Sequence, residues 1–190
     1  MARIRFLVGV ALVTTVALVA SCGGQSPAQL AADALNRGLQ AHLAGDLDGA
    51  QRLYQECLSY EPTNKVCLYD LGLIAQTRGQ AAEAENYYRL SLAADPQYGP
   101  SITNLGVLKR DTGDLAQAQT LFAQYVQLFP GDAAGHLRLG LVLVSLGNSA
   151  GGQAELDEAR RLDPMIVIPS PAPTPTAIPT AAPTATPAPS

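Results

Sequence analysis

The 190-residue sequence has no tryptophan, three phenylalanines, three cysteines and two histidines. Without tryptophan and with so little phenylalanine, the interior has to be filled by leucine, alanine, valine and the seven tyrosines. The histidines, His42 and His136, are far apart in the chain, with no cysteine near either and no HxxxH or HExxH spacing. That pattern excludes the usual transition-metal sites. No glycine-rich loop leads into a lysine, and there is no GxSxG stretch, so phosphate cradles and nucleophile elbows are missing too. Acid pairs such as Asp157 and Glu158 fall on a helix face expected to be solvated. Hydroxyl, histidine and carboxylate residues form no recognisable catalytic group. The expectation is a non-enzyme with no cofactor and no metal. Basic residues are also scarce. Twelve lysines and arginines against sixteen acids give a net charge of −4, a poor balance for binding nucleic acid.

Long apolar runs are few, and the longest stands at the N-terminus. Arg3 and Arg5 precede "FLVGVALVTTVALVA", residues 6–20, which ends on the small residues Ala20 and Ser21 before Cys22. A basic start, an apolar stretch of about 15 residues and small residues form the layout of a secretory signal. The stretch falls short of the roughly 20 residues that span a bilayer as a helix. Val19-Ala20-Ser21-Cys22 resembles the lipobox of bacterial lipoproteins. The resemblance implies diacylglyceryl attachment to the Cys22 sulfur and cleavage that makes Cys22 the mature N-terminus. Residues 1–21 are then a signal peptide and 22–30 a lipidated tether. The membrane contact is the lipid alone, because losing residues 1–21 removes two arginines and no acid and leaves the chain still more acidic. Gly23 in place of aspartate permits delivery to an outer membrane. The expected location is the bacterial cell envelope, on the outer face of the cytoplasmic membrane or on the outer membrane. The tether "GGQSPAQL", 23–30, reaches at most roughly 30 Å when extended.

From residue 31 the chain repeats itself. Residues 31–64, 65–98, 99–132 and 133–166 follow one another without gaps, each 34 long. The eighth place holds Gly38, Gly72, Gly106 and Gly140, and the fifteenth Gly45, Gly79, Gly113 and Gly147. The twentieth holds Ala50, Ala84, Ala118 and Gly152, and the twenty-fourth Tyr54, Tyr88, Phe122 and Leu156. The thirty-second holds Pro62, Pro96, Pro130 and Pro164. Glycine at fifteen suits the left-handed turn that ends a helix. Proline at thirty-two cannot continue one. Between these stops lie two helices of about 12–14 residues. A glycine in mid-helix costs about 1 kcal/mol against alanine, so its recurrence at place eight predicts tight packing there, with the ring at twenty-four filling the adjoining space.

This pattern resembles the tetratricopeptide repeat, most closely at Leu71-Gly72 and Leu105-Gly106 of the middle repeats. The resemblance implies an all-α fold, an α-solenoid of four helix pairs over 31–166. Repeat one departs from it with Ala34, Arg37 and Ala41 in place of bulky apolar residues, so its first helix is expected to pack lightly outside. Repeat four has Gly151-Gly152 in its second helix, and no solvating helix follows. Residues 167–190 run into "PSPAPTPTAIPTAAPTATPAPS", a Pro/Thr/Ala tail expected to be disordered, with much polyproline II and a reach of about 70 Å. "MIVI", 165–168, is expected to fold back on the last helix.

Tetratricopeptide arrays bind ligands on a concave groove lined by the first helices, at places two, five, six, nine, twelve and thirteen. Here those places include Leu35, Asn36, Leu39, His42 and Leu43, then Val66, Tyr69, Asp70, Leu73 and Gln76. They continue with Thr103, Asn104, Val107 and Arg110, then Leu137, Arg138, Leu141 and Val144. An apolar lining with a few polar points suits an extended peptide or an amphipathic helix. Some relatives clamp a C-terminal carboxylate. Asn104 and Arg138 match two clamp positions, while Tyr69, Leu73 and Ala134 break the match. An anion contact at Asn104, Arg110 and Arg138 is one reading. The other makes them solvated groove polars or partners of Asp70 and Asp111. Cys57 and Cys67 stand five residues either side of Pro62, on adjacent antiparallel helices, either as a bridge between repeats one and two or as two buried thiols. The expected function is a membrane-tethered adaptor holding a protein or peptide. The alternative is a pilotin-like or outer-membrane assembly helper. Oligomeric state is not legible in the sequence.

Overall fold

The computed structural model describes residues 24–169. The signal peptide, Cys22 and tail residues 170–190 lie outside the described residues. Among the described residues eight helices follow one another: α1 Pro27–Leu43, α2 Leu47–Tyr60, α3 Lys65–Thr77, α4 Ala81–Ala94, α5 Gly99–Asp111, α6 Leu115–Leu128, α7 Ala133–Ser145 and α8 Ser149–Leu162. Each packs chiefly on its neighbours in the chain, so the molecule is a row of helix pairs. Among the described residues no helix is long and apolar enough to cross a membrane.

The turn inside each pair is the same four times. Gly45, Gly79, Gly113 and Gly147 have φ of 80°, 74°, 86° and 84°. The amide after each glycine donates to a carbonyl five residues back, as Asp46 N does to Ala41 O at 2.9 Å, which satisfies an orphan carbonyl at the helix end. The same residue then caps the next helix. Asp46, Asp114 and Asn148 accept from the amides of Gly49, Gln117 and Gly151, whereas Gln80 makes no side-chain cap. The turn between pairs holds the prolines, each one residue beyond the cap that ends α2, α4, α6 or α8.

Places eight and twenty-four meet inside each pair. A Cβ on Gly38, Gly72 or Gly106 would lie 2.6, 2.5 or 2.6 Å from the Cε1 of Tyr54, Tyr88 or Phe122. These three rings are fully buried, as are Ala50, Ala84 and Ala118. In repeat four a leucine replaces the ring, and backbone atoms stand at the crossing. A Cβ on Gly152 would stand 2.8 Å from Gly140 O and 2.6 Å from Val144 Cγ2. The weak helix former at 152 is thus fixed by the crossing of α7 and α8.

Two expectations about the ends change. The stretch 22–30 is not all tether, because α1 begins at Pro27. Ser26 Oγ accepts from Gln29 N, Gln29 Oε1 accepts from Ser26 N, and Pro27 opens the helix, a capping box that starts it early. At the other end the apolar segment divides. Ile166 and Ile168 are half-buried, while Met165 and Val167 are 86% and 81% exposed. In repeat one Ala34 is fully buried and Arg37 is exposed, pairing with Asp33 and Glu56.

Candidate functional site

The first helices α1, α3, α5 and α7 carry the residues singled out as groove lining. Most sit at intermediate exposure, as a lined surface requires. Leu39 is 38% and Val144 37% exposed, Asn36 and Arg110 are exposed, and Leu35, His42, Val66, Leu73, Gln76, Thr103, Val107, Leu137 and Leu141 are half-buried. Leu43, at the end of α1, is 90% exposed and lines nothing. Asn104 Nδ2 donates to Tyr69 Oη at 3.2 Å, tying α5 to α3 across the face. Tyr69 also packs edge-on to Tyr98, with centroids 5.7 Å apart, and tilted against Tyr88 at 5.9 Å.

Of the three residues considered for an anion contact, Arg110 takes Asp111 as partner, with Nη2 to Oδ1 at 2.8 Å. Arg138 acts on Asp132. Burial pushes the Asp132 carboxyl up, but hydrogen bonds from Tyr125 and the Ala134 and Gly135 amides, with the Arg138 charge, hold it below its usual range. Asn104 is occupied by Tyr69. Asn104 and Arg110 thus have local partners, whereas Arg138 makes no ion pair or side-chain hydrogen bond among the described residues and acts on Asp132 through its charge alone.

Asp70 stands apart from the rest of the lining. It is only 4% exposed, and its Oδ2 is buried with no hydrogen-bond partner. Burial raises its pKa from the ordinary carboxylate value to about 6. Tyrosines from three elements feel its charge. The Tyr54, Tyr69 and Tyr98 hydroxyls are pushed up, first by burial and then by Asp70. Tyr88 rises to about 12 by burial, with smaller upward pushes from Tyr69 and Asp70. The sequence placed Asp70 on this face. Its isolation was not legible, because it depends on where the neighbouring lysines and arginines point.

Beneath the face, polar contacts join the repeats. Cys57 and Cys67 are joined by a disulfide between α2 and α3, their Cα atoms 6.5 Å apart. Lys65 Nζ pairs with Asp95 at 2.5 Å and stands 5.2 Å over the Tyr98 ring. Ser101 Oγ donates to Ser91 Oγ at 2.7 Å, and Ser91 Oγ to Lys65 O at 2.8 Å, both serines being fully buried. Lys109, 9% exposed, meets Glu85 at 2.7 Å and holds that carboxyl below its usual range. His136 Nε2 donates to Pro130 O at 3.1 Å, and its Nδ1 lies 2.7 Å from Glu155 Oε2. Lys109, Glu85, Ser91 and Ser101 are not among the residues that the repeat pattern marks. Their only signal was polarity at positions of interior period, as with Lys109 at place eleven.

A hollow of about 540 Å³ lies at the end of the array, lined by Leu141, Val144, Leu156, Arg160, Ile168 and Pro169 among others. Among the described residues no group of three His, Cys, Asp or Glu side chains is placed to hold a metal.

Two family models described as tetratricopeptide repeat match the chain, over residues 41–105 and 103–165. No curated protein matches it in sequence. Among solved structures it is similar to MamA (residues 41 to the end) from Desulfovibrio magneticus RS-1. The identity is 21%, with 70% of this chain and 76% of that chain covered and a TM-score of 0.65. A tetratricopeptide repeat protein from Parabacteroides merdae ATCC 43184 gives 20% identity over 73% and 56% of the two chains, with a TM-score of 0.67. A thermophilic TPR protein from Thermus thermophilus gives 25% over 70% and 75%, with a TM-score of 0.56. These likenesses carry the fold. With the glycine, alanine, ring and proline columns in register through four helix pairs, the chain belongs to the tetratricopeptide repeat family.

Proposed function

We propose that the chain is a protein-interaction scaffold, held to a membrane of the bacterial cell envelope by lipid on Cys22, with a protein or peptide partner along the first-helix face. One observation carries the binding half. The same place on four successive first helices presents an apolar side chain open to solvent, Leu39 at 38% exposure and Leu73, Val107 and Leu141 half-buried. These side chains are partly dry yet open, the condition in which a laid-in segment removes apolar area from water at about 25 cal/mol per Å². The anchoring half rests on the basic, apolar, small-residue order of residues 1–22. The bridge between Cys57 and Cys67 fits an exported chain, since such bonds persist in oxidising compartments.

Two measurements test the two halves separately. A photo-activated cross-linker at Leu73 should capture a defined partner in living cells, while the same group at Thr120, exposed on α6, should not. Equal capture at both would reject the groove. The purified mature chain should carry acyl mass and sediment with membranes, and Cys22→Ser should abolish both. An unmodified mature chain in the soluble fraction would reject the anchor.

A further inference from the structure

Asp70 carries a charge that nothing in the fold compensates. Its Oδ2 has no partner, and no lysine, arginine or histidine among the described residues pairs with it. Four cations of repeats two and three have other partners. Lys65 is with Asp95 and Tyr98, Arg78 with Asp48, Lys109 with Glu85, and Arg110 with Asp111. Two of the nearby hydroxyls have partners of their own. The Tyr88 hydroxyl donates to Gln76 Oε1 at 2.6 Å, and the Tyr54 hydroxyl lies 3.4 Å from His42 Nδ1. A buried polar atom left without a partner costs about 1–3 kcal/mol, more when charged. Repeats one and three carry asparagine, Asn36 and Asn104, at the same place six. A neutral side chain of the same shape therefore fits this position, and the charge of Asp70 is what needs explaining.

We propose that Asp70 is the anchor of a cation subsite on the first-helix face of repeats one to three, which takes the basic side chain of a bound peptide. The inference rests on the groove reading and adds the chemistry of the occupant. A metal ion is the poorer fit, since one carboxylate among tyrosines lacks the further ligands a metal needs. Asp70 is 4% exposed and its Oδ2 is covered, so an incoming cation meets only the edge of the carboxylate and has to arrive on a narrow stem. A guanidinium or ammonium on an aliphatic stem has that form. The stem lies along the half-buried Leu73 and Val107, and the half-buried rings of Tyr69 and Tyr98, packed edge-on beside Asp70, suit the cationic head. The subsite has the opposite polarity to a carboxylate clamp and predicts a partner with arginine or lysine inside the bound segment.

The test is a titration of the isotope-labelled full chain with N-acetyl-arginine amide, followed by amide chemical shifts. N-acetyl-citrulline amide, which has the same shape without the charge, is the control. Saturable shifts at Tyr69, Asp70, Leu73 and Asn104 are expected, at least tenfold weaker with the citrulline compound and at least tenfold weaker in Asp70→Asn. That variant should melt no lower than the parent, which separates lost binding from lost fold. Equal responses to the two compounds, or unchanged arginine binding in Asp70→Asn, would overturn the subsite. A partner captured at Leu73 whose affinity ignores Asp70→Asn would also overturn it and leave the groove standing. Arginine amide bound at Asp70 without any groove partner would uphold the subsite and reject the protein-binding reading.

Discussion

Single residues decide this fold where two atoms compete for one space. Gly72 is the sharpest case. Alanine there would gain about 1 kcal/mol of helix propensity. Its Cβ would stand 2.5 Å from Tyr88 Cε1, on a ring that is fully buried and held at its hydroxyl by Gln76. Overpacking of this kind costs about 1–3 kcal/mol, so the clash wins. Gly72→Ala should lower the melting temperature, as read by circular dichroism. Asp70 makes the opposite prediction. Its folded pKa of about 6 exceeds the ordinary value of 3.8, so the folded state binds its proton more tightly than the unfolded state. Its cost is absent below about pH 4, grows as pH rises, and is fully present above about pH 6. Asp70→Asn should therefore be more stable than the parent at pH 7.5 by on the order of 2 kcal/mol, with the gap closing toward pH 4. Denaturant melts at several pH values check this, and a constant gap would contradict it.

Helix ends and repeat junctions set the next scale. Gln80 is the one intra-pair cap without a side-chain bond, where Asp46, Asp114 and Asn148 each accept an amide. Gln80→Asp should stabilise α4 by about 0.5–1 kcal/mol, visible as a higher melting temperature. The junction of α2 and α3 is tied by Cys57 and Cys67, separated by ten residues. A loop that short is worth about 2–3 kcal/mol in the chain-entropy account. Dithiothreitol should lower the melting temperature of the parent and leave that of a Cys57→Ala, Cys67→Ala double variant unchanged. The elements themselves were legible because glycine at fifteen and proline at thirty-two are backbone signals that need no tertiary context. The start of α1 carries its own sequence signal, the capping box of Ser26-Pro27-Ala28-Gln29, which stands upstream of the 34-residue repeat frame.

For the whole molecule, the period made the array readable and left the face it presents unresolved. Places eight, twenty and twenty-four follow from helix geometry, so Gly38 against Tyr54 and Gly106 against Phe122 could be paired before any coordinates. The charges of the first-helix face could not. Arg110 pairs with Asp111 beside it in sequence, Arg138 reaches Asp132 through its charge without an ion pair, and the buried Oδ2 of Asp70 has no partner. Long side chains reach in any of several directions, and their choices depend on the helices beside them. The apolar lining, by contrast, was visible as Leu39, Leu73, Val107 and Leu141 at place nine of each repeat.

Amide hydrogen exchange on the full chain, with and without the partner captured at Leu73, tests the central claim most directly. Added protection confined to α1, α3, α5 and α7 is the predicted result. Protection centred on α2, α4, α6 and α8, or none on the first helices, would contradict the claim that this molecule works through its first-helix face.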